Sequence, residues 1–129
     1  MNDEEIGAIY SDMGYVISED IKDSKGDIFL YAEAQPGVIS ASIFIDVGDR
    51  IVYREASDEL FDMIRDAWEG LEEKKRWSTL SYTISGKRFS ADFQFPEEID
   101  QKESQDERRD RILREKYGQT PIDFSEEEY

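Results

Sequence analysis

The sequence contains neither cysteine nor histidine. These absences exclude disulfides, thiolate nucleophiles, histidine general bases, serine–histidine–aspartate triads and zinc sites built on cysteine or histidine. Catalysis by this chain would have to use carboxylates, tyrosine, lysine or arginine alone. The composition therefore leaves few reaction classes, and we expect a protein that is not an enzyme and has no cofactor or metal site.

Long apolar segments are also missing. No apolar run approaches the ~20 residues that a membrane-spanning helix needs. The first residues, MNDEE, are acidic where a secretory signal would be basic. We therefore expect a soluble, cytoplasmic chain without a membrane partner.

Basic residues are scarce relative to acidic ones. Sixteen Lys and Arg stand against 32 Asp and Glu, which gives a formal net charge of −16. A field of this sign repels nucleic acid and anionic membranes. It predicts a basic partner if charge determines binding; the alternative is that the charge serves solubility alone.

The chain does contain enough apolar material for one folded unit. Its 129 residues are 38% hydrophobic and 12% aromatic, and a domain of this size buries roughly two-thirds of its unfolded surface. We expect a single domain over residues 1–118 and an acidic C-terminal tail over 119–129. The tail could fray, or it could dock through Ile122 and Phe124.

The N-terminal segment predicts a short amphipathic helix followed by a polar loop. Asn2 is placed to cap the helix, and Gly14 can close it. Residues 18–27 then read as a loop whose acids invite a calcium interpretation. The EF-hand pattern fails there, because Gly26 as the turn glycine would put Ile21 at the first ligand position.

Alternating apolar residues predict three strands, over 28–34, 38–47 and 50–55, with Gly48-Asp49 as a two-residue hairpin turn. Ser57 then caps a second helix with a broad apolar stripe.

The segment WSTLSYTISGKRFSADFQF gives the clearest local prediction, a hairpin with a type II′ turn at Gly86-Lys87. This turn pairs Ile84 with Phe89, Tyr82 with Ala91, and Leu80 with Phe93. All six side chains then fall on one face, so the register is well specified.

These elements predict an α+β fold with the order α-β-β-β-α-β-β-α. We expect a five-stranded, mainly antiparallel sheet with helices packed on one face. The second face would then be open, with polar groups and a few aromatics that suit a binding surface; the alternative is an ordinary solvated face. The candidate contacts on this face are Tyr31, Glu33, Phe44, Asp46, Trp77 and Asp92.

The arginine-rich segment ERRDRILREKYG predicts a last helix, over about 104–117. Its arginines alternate with acids, and Glu107–Arg111 and Asp110–Arg114 are acid-before-base pairs at i,i+4. A nucleic-acid helix would lack interleaved acids. We therefore interpret the segment as a self-paired charged helix and expect no nucleic-acid partner.

The second half of the chain resembles the YezG-like immunity proteins. The resemblance rests on a tryptophan before a strand, a glycine turn, an aromatic strand of the F-x-x-D-F-x-[FY] kind and a late R-R…Y helix. The strand LYAEA also matches, whereas Ile112 and Leu113 stand where the family usually has a further aromatic. The matching positions are Trp77, Gly86, Phe89, Asp92, Phe93, Phe95, Arg108, Arg109, Tyr117 and Gly118.

This resemblance implies a cytoplasmic antitoxin that neutralises the C-terminal domain of a secreted bacterial toxin, commonly a nuclease, as a heterodimer. A nuclease site is basic because it binds phosphate, so an acidic inhibitor can occlude it. We expect contacts from the sheet face named above and from three acids of the second helix, Asp58, Asp62 and Asp66. The alternatives are an acidic adaptor for another basic protein and a carboxylate enzyme that uses Mg²⁺.

Overall fold

The computed structural model describes residues 2–21 and 26–125, except the side chain of Asp20. Three α-helices, six β-strands and two short 3₁₀ turns lie within these ranges. In chain order they are α1 (Asp3–Asp20), β1 (Ile28–Gln35), β2 (Val38–Asp46), β3 (Ile51–Glu55), α2 (Asp58–Glu69), a 3₁₀ turn (Glu73–Lys75), β4 (Thr79–Ser85), β5 (Arg88–Gln94), a second 3₁₀ turn (Pro96–Glu98), α3 (Gln105–Tyr117) and β6 (Ile122–Asp123).

The strands form one mixed sheet with the order β5-β4-β1-β2-β3-β6. The fold class is α+β as predicted, but the five-stranded count is wrong. The sixth strand comes from the C-terminal segment, where Ile122 pairs in parallel with Ile51. The backbone N–H of Ile51 donates to the Pro121 carbonyl at 2.9 Å.

The β4–β5 hairpin has the predicted register, with Ile84 opposite Phe89 and Tyr82 opposite Ala91. Gly86 has φ +62°, and no described residue other than glycine has positive φ. A type I′ turn would require positive φ at Lys87 as well, so the turn is type II′, as predicted. The predicted two-residue turn at Gly48-Asp49 is longer in the structure, because β2 ends at Asp46 and β3 begins at Ile51, which leaves four connecting residues. The register around it is as predicted, since the Val47 N–H donates to the Arg50 carbonyl at 3.1 Å.

Helix α1 extends six residues beyond its predicted end at Gly14 and finishes at Asp20. Gly14 lies inside the helix because the Tyr82 hydroxyl packs against it: a Cβ added there would lie 3.0 Å from that oxygen. Residues 18–20, which were predicted to lie in the polar loop, are therefore part of α1. Residues 22–25, the middle of that loop, lie outside the described residues.

The sheet is covered on both faces, so the prediction of helices on one face only is wrong. Helices α1 and α2 bury one face, where Met13 of α1 and Ile64 of α2 belong to the same core as Leu80 of β4. Helix α3 and the C-terminal segment bury the other face over β1, β2 and β3. The core on that side is formed by Phe29, Tyr31, Phe44, Ile51, Tyr53 and Leu113. The aromatic positions that alternate with the first core make this second face apolar enough to require a cover.

Candidate protein-binding surface

The two helices on the first face carry most of the net charge of the molecule. Helix α1 contains six acidic and no basic residues, and α2 contains five acidic residues and one arginine. Together they have a formal charge of −10, against −16 for the whole chain. We call the outward side of these two helices the acidic layer.

A row of three aspartates forms the part of this layer on α2. Asp58, Asp62 and Asp66 are all exposed. They point outward because the alternating positions Leu60 and Ile64 are buried against the sheet. Successive members of the row are four residues apart, a spacing at which like charges destabilise a helix.

The dipole of α2 also disfavours part of this row. The cap residue Ser57 accepts a hydrogen bond from the Leu60 N–H at 3.2 Å, and Asp58 lies in the first turn, where a carboxylate is favourable. Asp66 lies towards the other end, and the last turn contains no basic residue. The helix dipole therefore does not account for Asp66. Among the described residues, only Asp62 of the three has a cationic partner, Arg65 at 2.9 Å.

An exposed aromatic residue accompanies the acids on α1. Tyr15 is 73% exposed, on the side of the helix away from the buried Met13 and Ile17. Asp12 and Glu19, three residues before it and four after it, are exposed as well. The sequence reasoning missed Tyr15, although its position off the Ile6–Tyr10–Met13 stripe was a usable signal.

The predicted contacts on the sheet face are mostly inaccessible. Tyr31, Glu33 and Phe44 are buried beneath α3, and Asp46 is half-buried. The three buried side chains cannot meet a partner unless α3 and the C-terminal segment are displaced. Asp92, by contrast, is exposed on β5, beyond the region that α3 covers.

Trp77 belongs to the first core rather than to the second face. Its indole N–H donates to the Tyr10 hydroxyl at 3.0 Å, and its backbone carbonyl accepts from the Trp68 indole at 2.8 Å. Trp77 therefore joins both helices of the acidic layer to the sheet.

Glu33 forms a buried ion pair with Arg108, and these two side chains are the centre of the α3 contact. Their closest atoms, Nη1 and Oε1, are 2.6 Å apart, and the residues are only 5% and 4% exposed. The other carboxylate oxygen accepts from the Tyr31 hydroxyl at 2.6 Å. Burial, and then this hydrogen bond, raise the pKa of Tyr31. Nη2 of Arg108 donates to the carbonyls of Asp100 and Glu103, which ties the preceding loop to the helix.

This network corrects the interpretation of the arginine segment as purely self-paired. Arg108 pairs with a residue 75 positions away. Arg111 binds Glu103 through two nitrogens, at 3.0 and 3.1 Å, and also contacts Glu115 at 3.3 Å. The hydrogen bond from Arg111 is the main reason that the pKa of Glu103 is lowered. The side chain of Glu107 was expected to pair with Arg111. It instead accepts a hydrogen bond from the Ser104 N–H and completes the capping box of α3.

A cleft of about 560 Å³ opens beside the buried ion pair, lined in part by Glu33, Arg108, Trp77 and Arg76. Arg76 donates to the carbonyls of Leu71 and Glu69 at 3.2 and 2.9 Å and lies over the Trp68 ring. These charged groups of the lining are therefore occupied by intramolecular contacts. Among the residues that the structure describes, the acidic layer is instead the feature whose charges are largely unpaired.

In residues 2–21 and 26–125, no group of three or more acidic, cysteine or histidine side chains is placed to hold a metal ion. Over the same ranges, no helix combines the length and apolar content needed to cross a bilayer. No family model and no curated protein matches the sequence.

Proposed function

We propose that this protein is a stoichiometric inhibitor that binds a basic bacterial toxin domain, a nuclease, through the acidic layer. The single observation that carries the proposal is the aspartate row of α2. Its like charges recur every four residues on an exposed surface and extend towards a helix end that favours cations. A partner with complementary charge gives this arrangement a purpose that folding does not.

The two helices supply both kinds of contact that such an interface needs. Carboxylates on α1 and α2 steer a basic partner and pair with its lysines and arginines, and association rates can reach ~10⁸ M⁻¹s⁻¹ or more. Tyr15 adds an aromatic anchor amid the acids. Exposed tyrosines of this kind are enriched among the residues that dominate binding energy.

The proposed mechanism is occlusion. A nuclease must hold phosphate groups in a basic site, and the exposed acids of two helices whose combined formal charge is −10 compete for the same cations. This mechanism requires rigid presentation of the acids. The indoles of Trp68 and Trp77 provide it by fixing α2 and α1 to the segment just before β4 through hydrogen bonds of 2.8 and 3.0 Å.

The decisive test is co-expression with the C-terminal domain of a large secreted protein encoded next to this chain. We expect rescue of growth and a one-to-one complex on size-exclusion chromatography. Toxicity that persists with excess inhibitor would overturn the proposal. The control is a variant with Asp58, Asp62 and Asp66 all changed to Lys, which should fold but fail to rescue.

The same test separates this proposal from an acidic adaptor that binds another basic protein. An adaptor would bind through the same layer without protecting cells from a toxin. A neighbouring toxin gene favours the inhibitor, and an isolated gene favours the adaptor.

A further inference from the structure

The outer edge of β5 carries backbone groups that pair with no described strand. β5 is the first strand of the sheet and runs for seven residues from the type II′ turn. In such a hairpin, the residues that hydrogen-bond to the partner strand alternate with residues whose N–H and C=O point away. The Gln94 carbonyl accepts from the Ser78 N–H at 2.7 Å and so points inward. The backbone groups of Phe89, Ala91 and Phe93 therefore point outward, where no described strand pairs with them.

β5 has few of the devices that protect natural edge strands. These devices are proline, bulges, charged side chains, cover by a helix or loop, and a very short length. The two charged residues of β5, Arg88 and Asp92, are opposite in sign. β5 has no proline, and its pairing with β4 is continuous from Ser85–Arg88 to Thr79–Gln94. The opposite edge of the sheet is different, because β6 has only two residues.

The sequence of β5 is nearly symmetric about Ala91. Reading outward in both directions gives Ser90 and Asp92, then Phe89 and Phe93, then Arg88 and Gln94. Antiparallel pairing with a second copy about Ala91 sets Phe89 opposite Phe93 of that copy. It also sets Arg88 diagonal to Asp92 of the second copy, within reach of a long side chain. Both charged side chains are exposed, and neither has an ion pair among the described residues.

We infer that β5 is a self-association edge, through which two copies of this chain form one continuous twelve-stranded sheet. The dimer closes around a two-fold axis at Ala91, because each copy offers one long edge and the two-residue β6 cannot extend the assembly. The near-palindromic side chains favour a second copy over an unrelated extended peptide as the occupant. Phe89, 43% exposed in the monomer, gains a cross-strand aromatic partner in this arrangement.

Charge-reversed variants test the register directly. Arg88→Asp and Asp92→Arg each convert two diagonal attractions of the dimer into repulsions, so each should weaken dimerisation by about tenfold. An equimolar mixture of the two variants should form a heterodimer, because every diagonal pair is then attractive. Lys87→Asp is the matched control, since it changes the charge equally at a turn position outside the paired segment, and it should dimerise like the wild type.

The measurement is sedimentation velocity of the chain alone over a concentration series up to about 1 mM. It is made at about 0.15 M salt, where the Debye length of ~8 Å screens repulsion between the acidic bodies. We expect the mass to rise from 15.1 kDa to twice that value. A monomer at every concentration, or single variants that dimerise as well as the wild type, would overturn the inference.

Amide hydrogen exchange provides a second readout that does not depend on any variant. The amides of Phe89, Ala91 and Phe93 should gain protection as protein concentration rises, while those of Ser90 and Asp92 are protected at all concentrations. Dimerisation without this gain would place the interface elsewhere and contradict the inference. Because no toxin is present, the outcome is independent of the proposed function.

Discussion

The charges of α3 are arranged as the helix dipole favours, whereas those of α2 in the acidic layer are so only at the N-terminal end of the helix. Helix α3 has Asp106 and Glu107 in its first turn and Arg114 and Lys116 in its last, as the helix dipole favours. In α2, the acids continue towards the C-terminal end, and the last turn has no cation. Folding stability explains the charges of α3. It does not explain the acids of α2 beyond its first turn, Asp62, Asp66 and Glu69, and the proposed binding surface rests on that difference.

The largest expected effect comes from breaking the pair that holds α3 in place. Arg108→Met leaves Glu33 buried without its cation, and loss of one partner from a buried ion pair typically destabilises by about 3–5 kcal/mol. Urea denaturation measures the loss. Arg114→Met in the same helix is the control, because Arg114 is exposed, and it should change stability by at most about 0.5 kcal/mol.

Changing Glu33→Gln together with Arg108→Met should recover much of that loss, because neither change then leaves a buried charge unpaired. Single and double variants of equal stability would show that the pair is not the main attachment of α3.

The C-terminal segment should contribute less. Phe124 lies 6.2 Å from the Phe44 ring and 5.6 Å from the Tyr53 ring, centroid to centroid, and is half-buried. Phe124→Ala should therefore destabilise by about 1–3 kcal/mol, below the range for a fully buried phenylalanine. Thermal unfolding measures the effect, with Val38→Ala on an exposed position as the control. Equal melting temperatures for the two variants would contradict the packing of this segment on the sheet.

The smallest expected change in stability tests the difference between α2 and α3 most specifically. Asp66→Asn removes a carboxylate from the like-charged row of α2 and should raise the free energy of unfolding by about 0.3–1 kcal/mol. Asp106→Asn removes a favourable carboxylate from the first turn of α3 and should lower it by a similar amount. Chemical denaturation of both variants at low salt gives the sign of each change. Equal signs would remove the distinction between the two helices.

Features encoded by short-range patterns were predictable from the sequence. The register of the β4–β5 hairpin follows from the alternation of apolar residues around Gly86, and the extent of α3, predicted at about 104–117, follows from its segment of alternating charges. Both patterns span fewer than 20 residues and need no knowledge of the rest of the chain.

The packing of α3 on the second face was not predictable in this way, because it depends on a contact between residues 75 positions apart. Glu33 was the available signal. It shares its strand face with Phe29 and Tyr31, and a carboxylate among aromatics needs a cation if the face is buried. The same oversight made the sheet face look open and misplaced most of the candidate contacts there. Asp58, Asp62 and Asp66 were found correctly as exposed residues because helix periodicity alone places them outward.

The central claim, that the acidic layer is the binding surface, is tested most directly by the association rate constant with the co-encoded toxin domain. One variant neutralises Asp58, Asp62 and Asp66 to Asn. Its matched control neutralises Asp106, Asp110 and Glu115 on α3, which changes the net charge equally on the opposite face. We predict that the α2 variant associates at least about tenfold more slowly, and that the wild-type rate falls as salt increases. Equal slowing by the two variants would show that only the overall charge matters and would contradict the account.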